Sequence, residues 1–320
     1  MKIIGLIKRD SGVDLHRILM PLILMDGHDA YVTNAVEEKD FEERCDAIYY
    51  NREVSEDVLK AARKVNAKIV LDVDDYWHLD PHHIAYNEYL ETKFADIQIS
   101  HIQRADVVTT THERLAEKIS EFNKNVVIVP NAIPDHQYFP VNKTESERTR
   151  IFWQGSITHE KDIALLQGPV KRLDHRKVLM IIAGFTDHPV WHSIVSAYTN
   201  GLQLKGAILK GEPPHQYYKN YQYADICVCP LLGTTFNGFK SNLKILEAAH
   251  SGVPVIASAV NPYLNMPVLY THSQKDWYKH LQLLINEPEA RKEQGERLHR
   301  YCKEHFNYNL INEKRKECFK

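Results

Sequence analysis

Short apolar runs alternate with amphipathic stretches along this chain, and the alternation occurs in two successive series. The first series has apolar runs at 2–7, 29–32, 47–50, 68–72, 107–110 and 126–129. Between them lie stretches with helical spacing of apolar residues, such as 55–66 and 113–123. A repeated strand–helix rhythm implies a parallel sheet with helices on both faces. A second series follows the polar stretch 142–150, with runs at 150–154, 178–183, 204–209, 226–230 and 253–258. Helical patterns fall between these runs, including 217–223 and 242–251. The expected architecture is α/β, with two Rossmann-like doubly wound domains in tandem. The expected divisions are 1–141, 142–287 and a charged helical tail, 288–320, packing back across both domains. Ligands of such sheets bind outside the carboxyl ends of the strands, so two facing sheets create an interdomain cleft.

Composition narrows the function classes. A chain of 320 residues, 43% hydrophobic and 26% charged, has material for two cores and is not a disordered polypeptide. A formal net charge of -2 excludes a uniformly basic nucleic-acid coat but leaves room for a local basic face. The basic clusters near 148–150, 171–177 and 314–316 are short or interrupted by acids, as solvated faces are. The five cysteines are odd in number and scattered, which argues against a disulfide framework. Cys227 and Cys229 alternate within an apolar run and lack CxxC spacing. The 18 histidines show neither HExxH nor finger spacing, and no metal site is expected. No apolar stretch approaches the ~18 residues of a membrane span. The opening MKIIGLIKRDSG is charged too soon for a secretory signal, so a cytoplasmic protein is expected.

The segment with most chemistry is 236–258, FNGFKSNLKILEAAHSGVPVIAS. Lys240, Ser241, Asn242 and Leu243 read as a helix start, with Ser241 as N-cap. First-turn N–H groups and the helix dipole make an anion site, to which Lys240 and Lys244 add charge. Glu247 follows one turn later, where a carboxylate can accept hydrogen bonds from the vicinal hydroxyls of a ribose. An ordinary helix with a solvated Lys–Glu face fits the same spacing.

The run LEAAHSGVPVIAS resembles the C-terminal signature of GT-B glycosyltransferases of the family-4 (group 1) type. The resemblance implies that Glu247 binds the nucleotide ribose. The family's first Glu falls on Phe239, so this chain departs from the pattern where donor-sugar hydroxyls are held. Ile151–Lys161, IFWQGSITHEK, is similar to the family's Gly-Arg-x-x-x-x-Lys element; Gly155 and Lys161 match, and Ser156 replaces the Arg. Val127–Ile133 resembles the hinge, Leu179–Gly184 the strand and glycine near the donor, and Gln222–Leu231 the strand leading to the ribose helix. Five such elements in order cover nearly the whole chain. By this resemblance the donor set is Gly155, Ser156, Lys161, Gly184, Lys240, Ser241, Asn242, Leu243 and Glu247.

The N-terminal half is expected to hold the acceptor. Asp10-Ser11-Gly12 follows the first strand and precedes a helix with His16 and Arg17. A glycine there allows close backbone approach, although an ordinary turn has the same sequence. In LDVDDYWHLDP, residues Asp74, Asp75, Trp77 and His78 follow a strand ending at Asp72. A carboxylate can orient a hydroxyl or take its proton, and an aromatic ring can stack on a sugar or base. The DxD spacing also suits a metal, which GT-B enzymes generally do not use, and it also suits plain loop capping. The acceptor set is therefore Gly12, His16, Asp74, Asp75, Trp77 and His78.

The expected function is a retaining glycosyltransferase using a nucleotide diphosphate sugar, UDP-linked, with a glycan or lipid-linked glycan acceptor. Asp75, Lys161 and Lys240 are the candidate catalytic residues, and no cofactor beyond the donor is expected. Two other readings stay open: a phage enzyme glucosylating hydroxymethylated pyrimidines in DNA, and a non-catalytic nucleotide-sugar binder.

Overall fold

Six parallel strands form the first sheet: β1 (Lys2–Leu6), β2 (Asp29–Thr33), β3 (Ala47–Asn51), β4 (Lys68–Val73), β5 (Val107–Thr110) and β6 (Val126–Ile128). They lie in the order β2-β1-β3-β4-β5-β6. The second sheet contains β7 (Thr149–Gln154), β8 (Val178–Phe185), β9 (Gly206–Lys210), β10 (Ile226–Cys229), β11 (Val255–Ser258) and β12 (Leu269–Thr271). Its order is β12-β11-β10-β7-β8-β9, again all parallel. The structure is a computed structural model and describes residues 1–8, 11–36, 39–42, 45–133, 139–199 and 206–320. Asp10 and the first two positions of the run expected at 204–209 lie outside the described residues.

Each sheet is buried on both faces because successive strand residues point to opposite sides. Ile69, Leu71 and Val73 of β4 join one core, while Val70 joins the other. Ile151 and Trp153 of β7 face one side and Phe152 the other. Helices cover these faces, and some begin at side-chain caps: Ser55 accepts from the Val58 N–H, and Ser273 from the Asp276 N–H. The expected 217–223 helix is a short α-turn, Pro214–Tyr217, running into the 3₁₀ segment Tyr218–Tyr223.

The chain end touches both halves. The Pro288–His305 helix places Leu298 and Cys302 in a core of the second sheet. The Tyr308–Glu317 helix and the residues after it place Tyr308, Ile311, Cys318 and Phe319 in a core of the first. Between these helices, Ile133 donates its N–H to the Phe306 carbonyl at 2.7 Å.

Candidate active site

The second sheet reverses its direction of growth between β7 and β10, so loops at their carboxyl ends diverge and leave a crevice. Gly155 follows β7. Gly184, near the end of β8, has φ +101°, and a Cβ there would lie 2.1 Å from the Gly155 carbonyl oxygen. Only glycine permits that contact. Lys244 lies in the first turn of the Leu243–His250 helix. Its Nζ is 5.3 Å from the Trp153 ring, and 3.1 Å from where a Gly155 Cβ would sit. Burial lowers the Lys244 pKa. Asn242, not Ser241, occupies the N-cap position, and no side chain caps the helix. The Asn242 amide instead turns towards Met266 Sδ at 3.5 Å, which leaves the first N–H groups without a side-chain cap.

Asp162 binds the neighbouring loops together. Its carboxylate accepts from His159 Nδ1 at 2.7 Å, the Leu232 N–H at 2.8 Å and Asn237 Nδ2 at 3.1 Å. Burial, reinforced by the charge on Lys244, pushes the His159 pKa down to about 4. Lys161, by contrast, is exposed on the rim of a cavity of about 230 Å³, shared with Asp80, His83, Thr158 and Thr234. Lys240 Nζ lies 4.6 Å over the Phe236 ring. The Phe236 N–H donates to Asp80 Oδ2 at 3.0 Å, which links this loop to the first half of the chain.

Glu247 sits in a hydrogen-bonded chain that crosses the cleft. Both Tyr217 and Tyr221 donate hydroxyls to its carboxylate, Tyr221 at 3.0 Å. A hydroxyl has one proton, so Tyr217 must accept from His16 Nε2, 2.7 Å away. That assigns the Nε2–H tautomer to His16, which burial holds neutral by pushing its pKa down to about 4. Gly12 starts this segment, and a Cβ on it would lie 3.9 Å from the Tyr217 ring.

On the opposite wall, Asp72 is fully buried and not a terminal strand residue, since β4 continues to Val73. It pairs with Arg17 at 2.7 Å and accepts from Thr109 at 2.6 Å. Asp74 and Asp75 follow at the carboxyl end of β4. Asn51 donates to Asp74 at 3.0 Å, and Arg52 lies 3.8 Å from Asp75. Burial and the neighbouring Asp75 push the Asp74 pKa up to about 6. Trp77 is only 2% exposed and belongs to the core of the first sheet, so its ring is not a stacking platform. His78 is exposed.

Residues 148–288 match the family model described as Glycosyl transferases group 1. The chain has the GT-B fold. A D-inositol 3-phosphate glycosyltransferase from Corynebacterium aurimucosum is 25% identical over 230 residues, 61% of this chain and 52% of that protein. The chain thus spans about half the length of the curated relative it matches. Among solved structures, Anabaena Alr3699/HepE in complex with UDP-glucose superposes with TM-score 0.71 at 13% identity, over 99% of this chain and 98% of that one. An alpha-glucosyltransferase in complex with UDP and a 13-mer DNA containing a HMU base gives 0.66 at 13% identity, over 100% and 99%. Sucrose-phosphate synthase from Thermosynechococcus elongatus gives 0.69 at 13% identity, over 100% and 98%.

Within the matched residues 148–288, Gly155, Ser156, Gly184, Lys240, Asn242, Leu243 and Glu247 all gather near the β7–β10 crevice. Three expectations need correction. Ser241 is not the N-cap, because Asn242 takes that place. Trp77 cannot stack on an acceptor, because its ring completes the hydrophobic core. His16, expected to bind the acceptor, is buried and hydrogen-bonded to Tyr217, the partner of Glu247. Sequence reasoning missed Tyr217, Tyr221 and Asp162 as partners, and left Lys244 as added charge. The four-residue spacing of Tyr217 and Tyr221 was the available signal for a shared helical face. Among the described residues no group of three or more His, Cys, Asp or Glu is placed to hold a metal. Among the described residues no helix is long and apolar enough to cross a membrane.

Proposed function

We propose that the protein transfers a sugar from a UDP-type nucleotide sugar to a hydroxyl of a glycan or lipid-linked glycan, with retention at the anomeric carbon. One observation carries this reading: an amine-lined helix start meets the Gly155–Gly184 contact at a crevice with carboxylates on its opposite wall. Close backbone approach and uncapped N–H groups suit a diphosphate, and Lys244, Lys240 and Lys161 supply cations around it. The bond from the anomeric carbon to the diphosphate oxygen breaks as the acceptor oxygen bonds to that carbon. The acceptor proton passes to the leaving phosphate, so no protein nucleophile or metal is required. Stabilisation of the growing charge on the diphosphate by lysines and N–H groups is the chain's main contribution.

Glu247 binds the ribose in this reading, with ribose hydroxyls exchanging for those of Tyr217 and Tyr221. Asp74, Asp75 and Asp80 make the facing wall acidic despite Arg52, which favours an uncharged polyol over a phosphodiester acceptor. A cytoplasmic setting, where nucleotide sugars are made, goes with this donor. A panel of nucleotide sugars scored by thermal shift tests the reading, because saturation at 100-fold over Kd adds about 2.7 kcal/mol. No stabilisation by any member would sink it.

Phe239 and Ser156, which depart from the family pattern, favour a second reading as a non-catalytic nucleotide-sugar binder. Donor hydrolysis without acceptor separates the two readings.

A further inference from the structure

Tyr308, Asn312 and Arg315 share one face of the terminal helix, at i, i+4 and i+7. That face packs on the first sheet, where Tyr308, Ile311 and Cys318 meet Ala47, Tyr49 and Val70. Arg315 is 0% exposed. Its Nη1 donates to Asn312 Oδ1, whereas Nε and Nη2 have no partner among the described residues. The Tyr308 hydroxyl, on the same helix face, is also buried without a partner among the described residues.

The carboxylate beside this cluster is already saturated. Asp72 receives Nε and Nη2 of Arg17, Thr109 Oγ1 and Asn51 Nδ2, all within 3.2 Å. Tyr49 and Tyr308 both feel the charges of Arg17 and Arg315, which places the two guanidiniums in one interior region. Arg17 is answered there by Asp72, with Asp74 held beside it through Asn51, whereas Arg315 makes no ion pair among the described residues. A buried guanidinium is tolerated only when paired and hydrogen-bonded. Such unmet donors in an interior mark a missing water or ion, and the unpaired guanidinium of Arg315 selects an anion.

We propose that Arg315 Nε and Nη2, together with the Tyr308 hydroxyl, bind a small monovalent anion of chloride size. The site lies between the terminal helix and the first sheet. Full burial of Arg315 excludes bulky polyatomic anions. The bound anion fastens the terminal helix beside Arg17, whose Nη1 also holds the Val129 carbonyl and Asn131 at the exit of the first sheet.

The full chain is refolded from urea in sodium chloride or in sodium gluconate at equal ionic strength, and its thermal midpoint is followed. The midpoint should be higher in chloride and should rise with chloride concentration at fixed ionic strength. Arg315→Met removes the charge and should abolish the chloride-specific part, leaving only the general salt response; Tyr308→Phe should reduce it. Crystals grown in bromide should show an anomalous peak within hydrogen-bond reach of Arg315. An equal midpoint in both salts with no bromide peak would overturn the site and leave water as the partner. A chloride response of equal size in Arg315→Met would also overturn it. If Arg315→Met does not fold, the bromide peak decides alone.

Discussion

Phe239 of the second half stacks on Tyr76 of the first, with ring centroids 4.4 Å apart and planes inclined by 28°. The ring is 5% exposed and belongs to the core of the first sheet. Arg114 covers it at 5.1 Å. His112 accepts the Leu115 N–H with Nδ1, so its Nε2 donates to the Phe239 carbonyl, at 2.9 Å. The position that the family pattern gives to a sugar-binding Glu is therefore an apolar plug between the two halves.

Phe239→Ala should destabilise the protein by about 3–5 kcal/mol, the cost of emptying a large aromatic site. Urea unfolding measures it. A change below about 0.5 kcal/mol would mean the plug is not formed in solution.

Glu247→Ala should weaken nucleotide binding by about 1.5–3 kcal/mol, roughly 10–100-fold, through loss of charged hydrogen bonds. Calorimetry on the folded variant gives the value. Unchanged affinity would remove Glu247 from the donor site and leave its role as the anchor of Tyr217 and Tyr221.

Lys244→Ala should lower turnover about 100-fold, the scale of losing one donor to a developing oxyanion. Lys161, exposed on the cavity rim, should matter less. Steady-state kinetics of the two variants ranks them. A larger loss in Lys161→Ala would reverse the order and make Lys244 a packing residue.

Asp74 gives a pH dependence of known sign. Its pKa rises from 3.8 to about 6 in the fold, so the neutral form is favoured there. The resulting stability is fully present below 3.8 and is lost as pH rises through about 6. Relative to Asp74→Asn, the native protein should lose on the order of 3 kcal/mol over that interval. Chemical unfolding of both proteins across the window isolates this contribution from His16 and His159. Those histidines act oppositely: their pKa values fall from 6.5 to about 4, so their contribution is lost on acidification. Parallel curves for the two proteins would refute the Asp74 assignment.

Asp75→Asn should reduce transfer to acceptor while donor hydrolysis persists. Transfer by the native protein should change little with added salt if the acceptor is an uncharged glycan. A steep fall with salt would indicate phosphate contacts and a DNA acceptor. Normal transfer by the variant would remove Asp75 from the acceptor wall.

Local pattern alone was enough to read the two parallel sheets. Continuous apolar runs such as those of β4 and β10 need burial on both faces, and Gly155 and Gly184 mark backbone contacts that a side chain would block. Glu247, Lys240 and Lys244 were legible as a group because helical spacing places them near one helix start. Only the tertiary structure decided which of two chemically plausible fates a polar or aromatic residue met. Trp77 turned inward to complete a core, Phe239 crossed to the opposite half, and Asp72 took Arg17 from a helix 55 residues earlier. Tyr217, His16 and Glu247 come from segments up to 231 residues apart, and their pairing has no local signature. Periodicity records how much of a segment must leave water, whereas the partner of each buried polar group is set by how distant segments pack.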